Sequence, residues 1–485
     1  MQTRAQIRTN FPMNSTLLCI PLLMSAFIAP VFAAQQPPAT PSAAKPAKKA
    51  CPPSKKAASG PQPPAAPQAP QPQPPSAPQA PGPQPPGSPS STGKSLESSP
   101  IIGDIEKLFT YQPHFIVQSV VAGSGTGGGG QYVHEFDRDP WMRRISITGL
   151  ATIRQFSMGE VQLRLAHNAF TPWPRPLSEQ SKAVFHLYAR ARNLPQMPFY
   201  GIGPDANLAN QAFFSERDVL AGLDASNPLA SWIELGGRLE SIWNSAGPPN
   251  SALAQSITAL YPTTPGLAEQ PNFFHYEISL HPHYPAQPPF NIDYLLSYGF
   301  YQDHNTGQYS FRRLKFNLYN NLYPFHTTDV QCRRIPNKDI FFTLHSLIIA
   351  SDASAGHLVP FYLQPTLGGT DANNDPTLRG FKDFQFRAPD AILMQAEYNH
   401  RLWKYLGAYA FYDAGKVALH TGDLNFSNLR QSYGVGVSFW MNDLVLFKIY
   451  VGMGSGAGLH PFFGIPNFTG DNLVTGRGPA ATPWD

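Results

Sequence analysis

Arg379, Glu397 and Asp413 are the charged residues whose types and spacing invite a chemical reading. A guanidinium presents a rigid fork of donors, and two carboxylates further along the chain can accept from it; the chemistry is a noncovalent, bidentate clamp. Arg379 lies in Leu378-Arg379-Gly380-Phe381, inside a long polar loop over residues 351–389. Asp413 lies in Phe411-Tyr412-Asp413-Ala414-Gly415, on a segment whose side chains alternate. Alternation puts Gln395, Glu397 and Asn399 on one face of their strand, and Phe411 and Asp413 on the matching face of the next. Unpaired charge between apolar strands is costly, so the set predicts a loop folded back and pinned to a wall, and loss of Arg379 is expected to free it. Gly380 lets the loop backbone approach closely, and Phe381 is expected to pack against Phe411. The competing reading is a set of separately solvated charges.

Other chemistry is thin. Gly123-Ser-Gly125-Thr-Gly127-Gly128 fits a dinucleotide glycine pattern, but no helix follows it. His281-Pro-His283 is more simply a solvated pair than a metal site, and Ser455 lacks nucleophile-elbow spacing. No catalytic set, metal or cofactor is expected. A net charge of only +4 gives no case for nucleic acid.

The elements that position the charges are strands. From about 113 to 468 the chain alternates with period two. Phe274, Tyr276, Ile278 and Leu280 oppose His275, Glu277, Ser279 and His281; Tyr433, Val435, Val437 and Phe439 oppose Ser432, Gly434, Gly436 and Ser438. Aromatics on one side and small polar residues on the other fit lipid outside and a wet lumen. Sixteen strands are expected, near 113–123, 128–137, 142–155, 158–168, 181–192, 213–225, 230–244, 272–282, 291–303, 309–320, 338–350, 390–400, 405–415, 430–439, 444–454 and 458–468. The fold class is therefore all-β: a 16-stranded antiparallel transmembrane barrel with an inward-folded loop, set in outer-membrane lipids. Long connections at 193–212, 245–271 and 351–389 fall at one end, and short ones at 226–229, 401–404 and 440–443 at the other. The long 321–337 breaks that asymmetry.

Residues 1–33 read as a signal peptide, with an apolar centre after Arg4 and Arg8. Residues 34–100 form a disordered Pro/Ala/Lys-rich spacer, since 35–92 hold 20 prolines and no aromatic or acidic residue. In the periplasm it would be either a tether to peptidoglycan or an inert tail. The barrel occupies 101–468, and a polar tail 469–485. Past the signal only Cys51 and Cys332 remain, and a disulfide between them or two free thiols are both open.

Val359-Pro360-Phe361-Tyr362, Gly368-Gly369, Leu378-Arg379-Gly380-Phe381, Gln395-Ala396-Glu397 and Phe411-x-Asp413-x-Gly415 follow one another in an order that resembles the bacterial surface-antigen family of outer-membrane barrels. That family includes barrel-assembly insertases and two-partner secretion transporters. The resemblance covers about 360–440 closely. It implies a role in inserting or exporting unfolded polypeptides. Leu378 stands where the family usually has Val, and only the spacer precedes the barrel, where the family usually carries polypeptide-transport-associated domains. The readings from another class are a passive solute channel and a structural tether.

The closing seam reads as weak. Pro461 and Pro466 lack a backbone donor, Gly458 and Gly464 add little pairing strength, and Phe468 would end the barrel. The facing strand near 113–123 leads into a glycine-rich stretch, 123–130, expected to be a pliable turn. The resemblance points the same way, toward sideways release of substrate.

Overall fold

The structure, a computed structural model, describes residues 114–138, 141–167, 183–230, 232–287, 290–328, 334–441, 444–455 and 458–464. The signal, spacer and tail, and with them Cys51, Cys332, Pro466 and Phe468, lie outside the described residues.

Among the described residues twenty strands follow in chain order. The first ten are β1 His114–Gln118, β2 Gly127–Arg138, β3 Trp141–Thr152, β4 Ser157–His167, β5 Val184–Phe199, β6 Ala212–Ala230, β7 Ile233–Gly247, β8 Phe273–Gln287, β9 Phe290–Asp303 and β10 Phe311–Leu322. A small ribbon, β11 His326–Thr328 with β12 Arg334–Pro336, precedes β13 Ile340–Ala353. A second, β14 Thr366–Leu367 with β15 Phe386–Arg387, lies within the long loop. The chain ends in β16 Asp390–Trp403, β17 Leu406–Ala418, β18 Arg430–Met441, β19 Leu444–Gly454 and β20 Gly458–Gly464. Apart from the two ribbons, the strands form one 16-stranded antiparallel sheet in which each pairs with its neighbours in the chain. Each of the sixteen falls where alternation predicts one.

Burial is inverted relative to a water-soluble sheet. On β8, His275 is 1% exposed and Ile278 is 56% exposed. Arg144, Arg164, Arg190, Glu240 and Asp413 are buried, whereas Ile147, Leu187, Trp243, Tyr276, Tyr433 and Val451 stand exposed. The polar face lines an interior and the apolar face looks outward, the arrangement of a barrel in lipid. Residues 354–389 fold into that interior and reach residues far apart along the sheet. Asn374 bonds to Ser119 just after β1, while Arg379 bonds to Asp413 on β17.

Two expectations change. Gly127–Gly130 are not turn: they belong to β2, paired with β1 on one side and β3 on the other, because ladder bonds need no side chain. The loop is less polar than its composition suggests, since Phe361, Leu363 and Leu378 are fully buried in it. The long connection before β13 is partly accounted for by the β11–β12 ribbon.

Among the described residues β1 pairs with β2 alone, and β20 with β19 alone. β20 is short, its Pro461 opposite Val451, and Gly458 begins it in the left-handed region at φ +82°. Gly464 is its last residue.

Candidate functional site: a loop clamped to the lumen wall

The site is built on β16–β19. Asp390–Trp403 and Leu406–Ala418 pair with Gln395 opposite Asp413 and Glu397 opposite Phe411. Lumen-facing side chains of adjacent strands thereby converge on one spot.

Arg379 fills it. Its Nη2 lies 2.6 Å from Asp413 Oδ1, its Nε 3.0 Å from Asp413 Oδ2, and its Nη1 2.5 Å from Glu397 Oε2. The Arg379 backbone N–H also donates to Asp413 Oδ2 at 3.0 Å. Asp413 receives two further bonds, from Gln395 Nε2 at 3.2 Å and Ser432 Oγ at 2.9 Å. It is 0% exposed, and Arg379 4%. Buried charge of this kind is tolerable only when fully hydrogen-bonded, as here. Lys448 on β19 takes the other Glu397 oxygen at 2.7 Å, leaving two cations and two anions in one network.

The guanidinium carbon also lies over the Phe411 ring, 3.7 Å from its centre. This is why Phe381 does not pack on Phe411 as expected: Arg379 occupies that face. Phe411 meets Tyr450 edge-on at 5.3 Å, and Phe381 meets Phe386 at 5.2 Å, in a separate apolar cluster with Leu367, Leu378 and Leu393. Gly415 backs this cluster, where a Cβ would press on Leu367 and the Ile392 carbonyl.

Gly380 rests against the backbone of Met453 and Gly454, so closely that a Cβ would overlap both. The facing positions are glycine too. A Cβ at Gly452 would strike the Arg379 carbonyl, and one at Gly454 the Phe381 ring. The loop thus seats backbone on backbone in a groove that only side-chain-free residues leave open.

Sequence reasoning missed the rest of the docking. Arg313 on β10 donates from Nη2 to the Leu363 carbonyl at 2.6 Å and stacks beside Tyr301 and Phe311. Arg387 donates from Nη1 to the Phe361 carbonyl at 2.6 Å within an aromatic cage of Phe199, Phe214 and Phe361. Lys448 and Arg313 sit at lumen positions that alternation marks, although their partners do not follow from it. Nothing local marks Arg387. His281, considered for metal, bonds Asp293 on β9 at 2.6 Å.

Asp383, also in the loop, accepts from the Thr370 N–H at 2.9 Å. Burial raises its carboxyl to about 6, against the opposing pull of that bond and of Lys382. A raised carboxyl favours the docked loop while neutral. The contribution is whole below the unfolded value near 3.8 and is lost as pH climbs through about 6. Amide exchange at Thr370, corrected for intrinsic rate, should speed up a few-fold between pH 4 and 7, and Asp383→Asn should flatten that rise. A flat wild-type profile would contradict it.

No protein-family model matches the chain, and no curated protein matches it. Solved structures do. CdiB from Acinetobacter baumannii is 10% identical over 70% of this chain and 55% of its own, with a TM-score of 0.42, so the chain spans about half of that protein. BamA from Haemophilus ducreyi, lacking POTRA domains 1–3, is 11% identical over 73% of this chain and 68% of its own, with a TM-score of 0.45. CdiB from Escherichia coli is 11% identical over 73% and 60%, also with a TM-score of 0.45.

Proposed function

We propose that the chain is an outer-membrane barrel of the surface-antigen type that inserts or translocates polypeptides, with loop 354–389 as its lumenal plug. The observation that carries the reading is the buried Arg379–Asp413–Glu397 network, joined to the ordered motifs that resemble that family. In this reading the long connections face outside and the spacer, 34–100, lies in the periplasm. Peptidoglycan would be its partner there.

Sideways release would use the edge between β1 and β20. Pro461 withholds a donor and glycines bound the strand, so separating the two edges breaks few bonds. Cysteine pairs placed between 114–118 and 458–464, once oxidised, should abolish activity, with recovery on reduction. Full activity in the locked barrel would remove the gate.

Depletion of the protein, followed by comparison of the outer-membrane proteome, tests the function itself. Loss of particular barrel or secreted proteins is expected. An unchanged proteome, together with a large steady conductance in planar bilayers, would favour the passive channel.

A further inference from the structure

A cavity of about 50 Å³ lies between the loop and the β5–β6 wall, away from Arg379. Glu216 from β6 and Tyr362, Gln364 and Arg387 from the loop line it, each more than nine-tenths buried. Each also has a polar atom that finds no partner among the described residues: Glu216 Oε1, Tyr362 Oη, Gln364 Oε1 and Arg387 Nε. Four such atoms around one small space would each cost free energy if left dry.

Their chemistry narrows the occupant. Gln364 Oε1 is an acceptor and Arg387 Nε a donor, while the Glu216 carboxyl and the tyrosine hydroxyl can each serve as either. A bare metal ion is disfavoured by the guanidiniums of Arg192 and Arg387 in the lining, and an anion by the Glu216 carboxyl and the Gln364 amide oxygen. Water serves both kinds, and at about 30 Å³ of liquid volume each the space holds roughly two.

We propose that this cavity is a hydration site whose waters bridge Glu216 of the wall to Arg387 and Gln364 of the loop. It forms a second latch, separate from the Arg379 clamp. The inference rests on the plug reading only in that the loop is docked, and its test does not depend on transport.

A structure of the full chain in detergent, at a resolution that shows ordered water, should reveal at least two waters linking Glu216 to Arg387. Direct contact between the two side chains, or an organic molecule between them, would overturn the proposal. Hydrogen exchange supplies a second arm. Glu216→Leu should speed exchange at the Gly203 N–H, which donates to the Arg387 carbonyl at 2.7 Å, by about tenfold or more. The Arg379 N–H should be unchanged. Glu216→Gln, which can still bind water, should stay within about threefold of wild type at Gly203. Unaltered exchange in Glu216→Leu would refute the latch, and equal acceleration at Gly203 and Arg379 would refute its independence. Should Glu216→Leu not fold, Gln364→Leu on the loop carries the same expectations.

Discussion

Arg379→Ala should destabilise the barrel by about 3–5 kcal/mol, the cost of stripping one partner from a buried pair. Asp413 would keep Gln395 and Ser432 but lose the fork that neutralises it. Glu397 would keep Lys448. Arg379→Lys should recover only part, since an ammonium lacks the planar fork that reaches both carboxylates at once. The double variant Arg379→Ala with Asp413→Ala should cost less than the sum of the singles, because the orphaned charge is then gone. The loop as a whole should not come free, contrary to the expectation from its motif alone. Arg313 of β10 holds the Leu363 carbonyl and Arg387 sits against Phe199 and Phe214 of the wall, so the 376–381 stretch should loosen by itself. Urea unfolding from bilayers measures the first effect and segment-resolved hydrogen exchange the second. A loss under about 1 kcal/mol for Arg379→Ala would show the network to be solvated after all.

Gly380→Val should be comparably damaging for a different reason. Its backbone is not in the left-handed region, so no conformational strain is involved. The obstacle is space: β19 backbone stands where the first side-chain carbon must go, and that strand is held in the sheet on both sides. Overpacking of this sort costs about 1–3 kcal/mol or more, and Val adds two methyls to the clash. Gly380→Ala should give a smaller loss of the same kind. Gly422, whose Cβ would meet open space, is the control: Gly422→Ala should stay within about 0.5 kcal/mol of wild type. Heat-modifiable gel mobility and the urea midpoint read both. A tolerated valine at Gly380 would mean that the loop does not seat on β19.

Alternation carried the sheet, because inward and outward environments differ along every strand and period two is their direct imprint. Tyr276 and His275 already point to opposite media before any fold is known. The clamp was legible through the order of its motifs, since Arg379, Glu397 and Asp413 taken alone read as readily as separately solvated lumen charges. Phe381 was misjudged because aromatic pairing is a weak preference, and a guanidinium competes for the same ring face. The glycines at 127–130 were misjudged because glycine marks both turns and close-packed strands. Arg387 left no trace, since its cage is drawn from Phe199, Phe214 and Phe361, which are adjacent only in the folded chain.

The two ways of holding the loop differ in the stretch of chain they join. Arg379, Glu397, Asp413, Ser432 and Lys448 all fall within the last third of the sequence, on consecutive hairpins. The cage around Arg387 instead ties the loop to β5 and β6, far back along the chain. Closing short loops costs less entropy than closing long ones, so contacts of low sequence separation form first. The C-terminal hairpins and their arginine should therefore assemble as an early nucleus, onto which the N-terminal strands later wrap. Pulse-labelled refolding should show protection on β16–β19 before β5 and β6, making the loop a template for its own barrel as well as its stopper.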